Sequence, residues 1–499
     1  MDVWYKEKNA MNRKAIVIGA GYGGLASAIL LAKEGFRVTV IEKNAVPGGR
    51  ARLWEEQGYR FDMGPSWYLM PEAFDRFFAL LGKKRDDYLP LERLDPYYRV
   101  FFSRDEFVDI TPDIEKTKAT FASFEKGGDE KLVKYLENCR VKYDTAVGEF
   151  LYRDYSSVLD FLNPTLVIKG ARLSVFESLD SLVSKYFTDH RAKKILEYAM
   201  VFLGNSPYNA PAMYSMMSHL DLNLGVFFPR NGMWGIVEAL LNLCAEYGVE
   251  VKLGEEVRAI EIEKKLARTV VTDKGRYEAD IVLGNADYAH AETMLLSDPA
   301  RSFEESYWKK KTYAPSMFIM YLGVKKRLEK LAHHTLYFAP EWDHHFAQIF
   351  DKPAWPDHPS YYVSVTSKSQ PDVAPAGCEN VFVLVPVACN LDDGDAQRAL
   401  YADKMLTHLE TLAGENIRDH IAVKRIFSGR DFAADYHARY GTALGLAHTF
   451  DQTAVFRPPR RSKKVKNLFY AGHYTHPGVG VPMVFIAAEL AAKAITETR

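Results

Sequence analysis

Three glycines stand at the spacing Gly19-x-Gly21-x-x-Gly24, directly after the apolar run Ala15-Ile16-Val17-Ile18. Residues without a side chain let a tight turn bring backbone amides against a pyrophosphate, and the helix that follows points its free N–H groups at the same phosphates. Gly19 serves the turn, Gly21 the close approach, and Gly24 the packing of helix on strand. A second strand, Arg37–Ile41, ends on Glu42. A carboxylate there accepts from both ribose hydroxyls and repels a 2′-phosphate, so the chemistry is that of FAD or NAD and not NADP.

Two more stretches bear on the choice between these cofactors. Val46-Pro47-Gly48-Gly49-Arg50 follows Glu42 closely; its glycines let the main chain run beside a ribityl chain or flavin edge, with Arg50 within reach of phosphate. Far downstream, Lys466-Asn467-Leu468-Phe469-Tyr470-Ala471-Gly472 reads as a strand ending in glycine. An Ala-rich helix from about Val484 to Ile495 then aims its N-terminus back at the site.

The Gly-Gly-Arg turn resembles the extended fingerprint of the amine-oxidase and phytoene-desaturase flavoproteins. Thr475-His476-Pro477-Gly478-Val479-Gly480-Val481-Pro482 resembles the C-terminal signature of bacterial-type carotenoid desaturases. Phe61-Asp62-Met63-Gly64-Pro65-Ser66, Gly225-Val226-Phe227-Phe228-Pro229 and Asp372-Val373-Ala374-Pro375-Ala376-Gly377-Cys378 match the same family. The resemblance implies FAD contacts from Gly19, Ala20, Gly21, Tyr22, Gly24, Glu42, Gly49, Arg50, Gly64, Ser66, Val257, Gly472, Val481, Pro482 and Met483, with no metal. Two departures stand out. Pro229-Arg230-Asn231-Gly232 replaces Pro-x-Gly-Gly, which puts a loop geometry in doubt, and Gly472-His473 replaces the Gly-Asp of related oxidases.

The implied activity is an FAD-dependent desaturation in carotenoid biosynthesis: hydride passes to flavin, a nearby group takes the proton, and a quinone or oxygen reoxidises the cofactor. A hydrocarbon offers no polar handle, so shape must hold it. With 29 Phe, 29 Tyr and 7 Trp, the composition is compatible with an aromatic-lined tunnel. Phe150-Leu151-Tyr152-Arg153-Asp154 resembles the family's Phe-x-x-Arg-Asp stretch, which makes Asp154 the candidate base, Arg153 its tuner and His476 a second polar candidate. A carotenoid terminal oxidase, a diapophytoene-type desaturase, an amine or porphyrinogen oxidase, and a flavin-free prenyl-binding protein of GDP-dissociation-inhibitor type remain the competing readings.

The elements needed to position these residues set the organisation. The expected fold is α/β: a discontinuous Rossmann-like FAD-binding domain built from residues 11–75, 228–310 and 460–499, a helical cap over 76–227, and a sheet-bearing substrate domain over 311–459. In the cap, Leu173, Phe176, Leu179, Leu182 and Val183 recur at helical spacing. Lys plus Arg number 64 against 65 Asp plus Glu, so no global field favours nucleic acid. The four cysteines lack metal or redox spacing and suit a reducing cytoplasm. The pairs His333-His334 and His344-His345 lack the companions of a metal site. The polar residues before Met11 read as a loose leader with Met11 as an alternative start, and no run reaches the ~20 apolar residues of a membrane helix. Membrane contact is therefore expected to be peripheral, with Arg457-Pro458-Pro459-Arg460-Arg461-Ser462-Lys463-Lys464 read as a solvated linker before the last strand.

Overall fold

The computed structural model describes residues 13–154 and 173–498; the leader and Met11 lie outside the described residues. Five parallel strands form one sheet in the order Leu468–Tyr470, Ile281–Gly284, Lys14–Ile18, Arg37–Ile41, Glu250–Lys252. Strands from the beginning, middle and end of the chain are thus direct neighbours. All but the edge strand Glu250–Lys252 are largely buried on both faces, as a doubly covered parallel sheet requires. Successive side chains point to opposite faces. Ala15 and Val17 therefore pack among the helices Tyr22–Lys33 and Val481–Thr496, while Ile16 and Ile18 meet Val257, Ile260, Ala267 and Val270 of a three-stranded antiparallel sheet, Val257–Glu263, Leu266–Thr272 and Arg276–Glu278.

A second, seven-stranded sheet runs Ile421–Phe427, Ser316–Val324, Glu379–Val387, Tyr361–Ser364, His334–Tyr337, Tyr98–Phe101, Phe107–Ile110. Its strands pair antiparallel except His334–Tyr337 with Tyr98–Phe101. Both long central strands are buried at every position. Phe318, Met320, Val383 and Val385 pack on the helix Asp395–Ala413, whereas Met317, Ile319 and Leu384 face the other way, toward the five-stranded sheet's domain.

The segment expected to be a helical cap is mixed. It supplies the helices Ile114–Phe124, Gly128–Ala146 and His190–Glu197, but also the last two strands at one side of the large sheet, Tyr98–Phe101 and the edge strand Phe107–Ile110. The helical spacing at Leu173 to Val183 is likewise broken. The helix begins only at Leu179, because the Ser178 hydroxyl accepts from the Ser181 N–H and caps it, leaving Phe176 in a turn with 90% of its surface exposed.

Asn467 joins the two sheets of the dinucleotide domain. Its buried carboxamide accepts from the Ala267 N–H at 2.7 Å and donates to the Ala267 and Asp280 carbonyls at 2.8 Å, in place of a missing strand. Asn467→Ala strands these buried groups, and we expect a loss of about 2–4 kcal/mol, read as a lower urea midpoint at unchanged slope.

Candidate active site

The glycine turn is built as its spacing demands. The Gly19 N–H donates to the Ile41 carbonyl at 2.8 Å with φ at +102°, and a Cβ on Gly24 would sit 2.0 Å from the Gly19 oxygen. The buried Glu42 carboxylate accepts from the Ala20 N–H at 2.8 Å and from both the N–H and the carboxamide of Asn44 at 2.9 Å, which fixes it at the strand's end. The second glycine turn folds onto the first: the Gly48 N–H donates to the Ala20 carbonyl at 2.8 Å, and a Cβ on Gly49 would lie 3.2 Å from the Gly21 Cα.

The middle and terminal segments meet this turn through Asn285. Its Oδ1 accepts from the Gly24 N–H at 2.8 Å, and its Nδ2 donates to the Ala471 carbonyl at 3.1 Å. Asn285 follows the strand Ile281–Gly284, so it lies at the carboxyl end of a parallel strand, where open α/β sheets place their ligands. That position was the available signal, although the sequence reading passed over it.

These segments border one cavity of about 400 Å³. Of the residues named from sequence, Gly19, Gly21, Tyr22, Glu42, Gly49, Arg50, Gly64, Ser66, Val257, Gly472 and Val481 line it. Ala20 and Gly24 act from behind through their N–H groups, Pro482 occupies the first turn of the last helix, and Met483 packs with Met70, Tyr143 and Leu220 instead. Lining residues that the sequence reading missed include Glu256, Asn285, Asp287, His290, Asp435, Tyr436, His437 and His473.

One half of the cavity is polar and fits FAD. Arg50 lies 5.3 Å over the Tyr436 ring, and its Nε and Nη2 are buried with no hydrogen-bond partner among the described residues, as is Nε2 of His473. Buried donors left open in a cleft of glycine turns and helix N-termini suit an anion such as a pyrophosphate. His290 and His437 stack at 3.9 Å and 4°, and Nε2 of His437 lies 2.9 Å from the Glu256 carboxylate. Burial pushes His290 down to about 3, and burial with the nearby Lys43 lowers His437, so the pair is a neutral aromatic surface near neutral pH. Glu42 would hold ribose, the glycine turns and Arg50 the phosphates, and Val257 the adenine edge.

The other half is apolar, lined by Met63, Trp67, Leu69, Tyr198, Phe202, Met317, Ile319, Tyr362, Leu384 and Phe432. The charged lining residues come from the glycine turns, the segments packed on them and the helix end at Asp435, which pairs with Arg52. A smaller space of about 30 Å³ shares Tyr198, Phe202, Tyr362 and Leu384 and continues to Leu336, Phe338, Trp342 and Phe346. His345 lines this extension, and His334 is buried behind the wall, where its Nδ1 meets the Tyr362 hydroxyl at 2.6 Å and its ring stacks on Trp67 at 4.5 Å.

Several residues sit elsewhere than the sequence suggested. Asp154 does not line the cavity; it accepts from Nε of Arg460 at 2.7 Å, with 43% of its side chain exposed. Arg153 does not tune it, because that side chain turns back one helical step to Glu149 at 2.8 Å. Nε2 of His476 lies 3.2 Å from the Phe150 and Leu151 carbonyls, holding that segment to the Thr475-His476-Pro477-Gly478 turn. The basic run before the last strand is not a solvated linker. Arg457 and Arg460 are buried, and Arg457 donates to the carbonyls of His473, Tyr474 and Leu446, satisfying acceptors that the tight turn leaves open. In Pro229-Arg230-Asn231-Gly232 the left-handed residue is Gly232, at +73°, which lets the Asp62 carboxylate approach and cap the next helix through the Met233 and Trp234 N–H groups at 2.9 and 2.8 Å. The loop therefore needs no glycine at position 231.

Comparison with known proteins agrees with this geometry. The family description "Flavin containing amine oxidoreductase" matches residues 22–496. A carotenoid 3,4-desaturase of Haloarcula japonica is 45% identical over 96% of this chain and 97% of its own. A zeta-carotene-forming phytoene desaturase of Myxococcus xanthus is 33% identical over 97% of this chain and 93% of its own. Among solved structures, an oxidoreductase from Methanosarcina mazei superposes with a TM-score of 0.62 at 18% identity, covering 97% of this chain and all of that one, which shows a shared fold.

Two substitutions test the polar half. Gly24→Ala forces a methyl group into the Gly19 carbonyl, so the soluble protein should purify without flavin absorbance. Glu42→Ala should weaken FAD binding about 10- to 100-fold, roughly 1.4–2.8 kcal/mol, in a flavin-fluorescence titration of the apoprotein.

Proposed function

The chain belongs to the flavin-containing amine oxidoreductase family, among its carotenoid desaturases, and from that premise we propose that it introduces a double bond near one end of a carotenoid chain. The observation that carries this reading is the single cavity with a polar half fitted to FAD and an uncharged aromatic half leading away from it. When bound, FAD supplies the two-electron oxidant. The protein's own part is to grip an apolar chain, exclude water and dispose of a proton. An ammonium substrate would need an anionic partner in that apolar half, which offers no charged side chain among its described lining residues. The name of the Haloarcula relative favours action near a chain end over the inner positions.

A quinone or oxygen is the proposed electron acceptor, and a membrane surface the proposed place of substrate uptake. No helix among the described residues is long and apolar enough to cross a membrane. An exposed aromatic patch supports peripheral contact: Phe176, Phe450 and Phe456 are 90%, 47% and 44% exposed, with ring centroids 5.4 and 6.3 Å apart in sequence. Contiguous exposed apolar surface of this kind marks interaction sites. We further propose that Asp154, held by Arg460 outside the cavity lining, positions the chain around the Thr475-His476-Pro477-Gly478 turn and is not the base.

Expression in a host that accumulates acyclic carotenoids should shift the extracted pigment to longer absorption wavelengths, and the purified yellow protein should bleach anaerobically with carotenoid in micelles. Bleaching by a simple amine and not by any carotenoid would overturn the assignment. The same protein should sediment with anionic liposomes at low salt, and Phe176→Asp with Phe450→Asp should cut the bound fraction several-fold. Asp154→Asn should keep its FAD and reduce it within about twofold of the wild-type rate, since general-base removal would cost ~100-fold or more.

A further inference from the structure

Making a carbon–carbon double bond from a single one removes two hydrogens as unlike species. One leaves with its electron pair as hydride, for which the FAD that the polar half would hold would supply the two-electron oxidant. The neighbouring C–H bond leaves its electron pair behind as the new π bond, and its proton needs an acceptor. In the apolar half of the cavity that acceptor must be a side chain, and charged lining residues are confined to the polar half.

Tyr198 lines both the main cavity and its aromatic extension, with its ring 6.1 Å from that of Trp67, the neighbour of Ser66 and Gly64 in the segment expected against the flavin. Its hydroxyl donates to Oδ2 of Asp221 at 3.0 Å, and the Tyr98 hydroxyl donates to the same oxygen at 3.0 Å. Asp221 is 4% exposed, and its Oδ1 is buried with no hydrogen-bond partner among the described residues. The carboxyl thus touches the cavity through one tyrosine only, with the Leu222 and Asp221 backbone N–H groups beside it. Nothing in the sequence reading assigned either residue a role.

We propose that Tyr198 and Asp221 form the proton-accepting relay of the reaction: the substrate proton passes to the Tyr198 oxygen as the Tyr198 proton passes to Asp221. The inference rests on the desaturase reading and deepens it. Tyr198 touches the substrate; Asp221 acts through it. Balance is kept, because two electrons leave with the hydride and the only other change is a carboxylate becoming a carboxylic acid.

The competing pair in the same half is Tyr362 with His334. Burial holds His334 far below its ordinary range, so its ring cannot retain a proton near neutral pH, whereas burial raises Asp221 to about 7 against the pull of its two tyrosine hydrogen bonds and of the Leu222 and Asp221 backbone N–H groups. Asp221 can therefore be ionised before the step and protonated after it. The groups facing it are Tyr98 from a strand of the large sheet, Tyr198 from the chain after the helix His190–Glu197, Tyr97, and Cys139 from the helix Gly128–Ala146. Tyr97 interacts in turn with the exposed Arg93, which gives the acid a neighbour leading toward solvent.

The test is anaerobic stopped-flow reduction of the bound flavin by phytoene or its partly desaturated products in micelles, whichever the pigment assay shows to be converted. The rate in the wild-type holoenzyme should rise with pH through about 7, as the acceptor ionises. Tyr198→Phe should slow reduction at least ~10-fold with FAD content and half-saturating substrate concentration unchanged. Asp221→Asn should slow it similarly and flatten the pH dependence, a change that a packing role alone would not produce. Should Asp221→Asn fail to fold, Tyr198→Phe decides alone, since the ring and its contacts remain. A folded Tyr198→Phe enzyme at the wild-type rate overturns the relay and leaves the desaturase reading intact. A wild-type flavin that no carotenoid bleaches overturns both.

Discussion

The structure depends on one carboxamide and the space left for it. Asn285 accepts a hydrogen bond from the Gly24 amide and donates one to the Ala471 carbonyl, so a single side chain ties the middle of the chain to its beginning and its end. Cβ atoms on Gly23, Gly24 or Gly472 would come within 2.8, 3.0 and 2.8 Å of that carboxamide. Three glycines from two distant segments are thus shaped around it. Removing it would leave a buried donor and acceptor open at the floor of the cofactor cleft, where each unmet group costs about 1–3 kcal/mol.

A second constraint couples the two large sheets. Charge and apolar surface must share one cavity without mixing, and the segment Gly429–Tyr436 enforces the boundary. Tyr436 lies under the Arg50 and Arg52 guanidinium groups at 5.3 and 5.1 Å, Asp435 pairs with Arg52, and the Asp435 carbonyl accepts from Asn44 at 3.1 Å. The cations therefore stay on the cofactor side, while Phe432 of the same helix faces the cavity. Buried Arg457 does comparable service behind the Thr475-His476-Pro477-Gly478 turn, where it meets three main-chain carbonyls. Burial lowers its basicity to about 10, which leaves it charged near neutral pH.

The legible parts of the site share one property: their partners are close in the chain. The Gly19 turn, Glu42 at its strand end and the Gly48-Gly49-Arg50 turn lie within 32 residues, so spacing alone reports the geometry. The strands Ser316–Val324 and Glu379–Val387 have remote partners, each other among them, but their largely apolar runs mark them as buried strands. Misreadings fell where a partner is remote. The strand Tyr98–Phe101 has a near partner in Phe107–Ile110, but its place in the seven-stranded sheet comes from His334–Tyr337, far along the chain, which no local pattern announces. Arg153 and Asp154 look like a pair by adjacency, yet their partners are Glu149 and Arg460.

The amino-acid sequence by itself determined the dinucleotide chemistry, because a turn without side chains, a helix start and a terminal carboxylate are set by neighbours along the backbone. Its aromatic content was compatible with an apolar substrate half but did not place one. Only the tertiary structure decided which polar groups face that half. An aspartate such as Asp221 is spelled like any solvated one, and its raised proton affinity arises from burial beside Tyr98 and Tyr198, residues 123 and 23 positions away. Desolvation belongs to the folded interior and has no local signature in the chain.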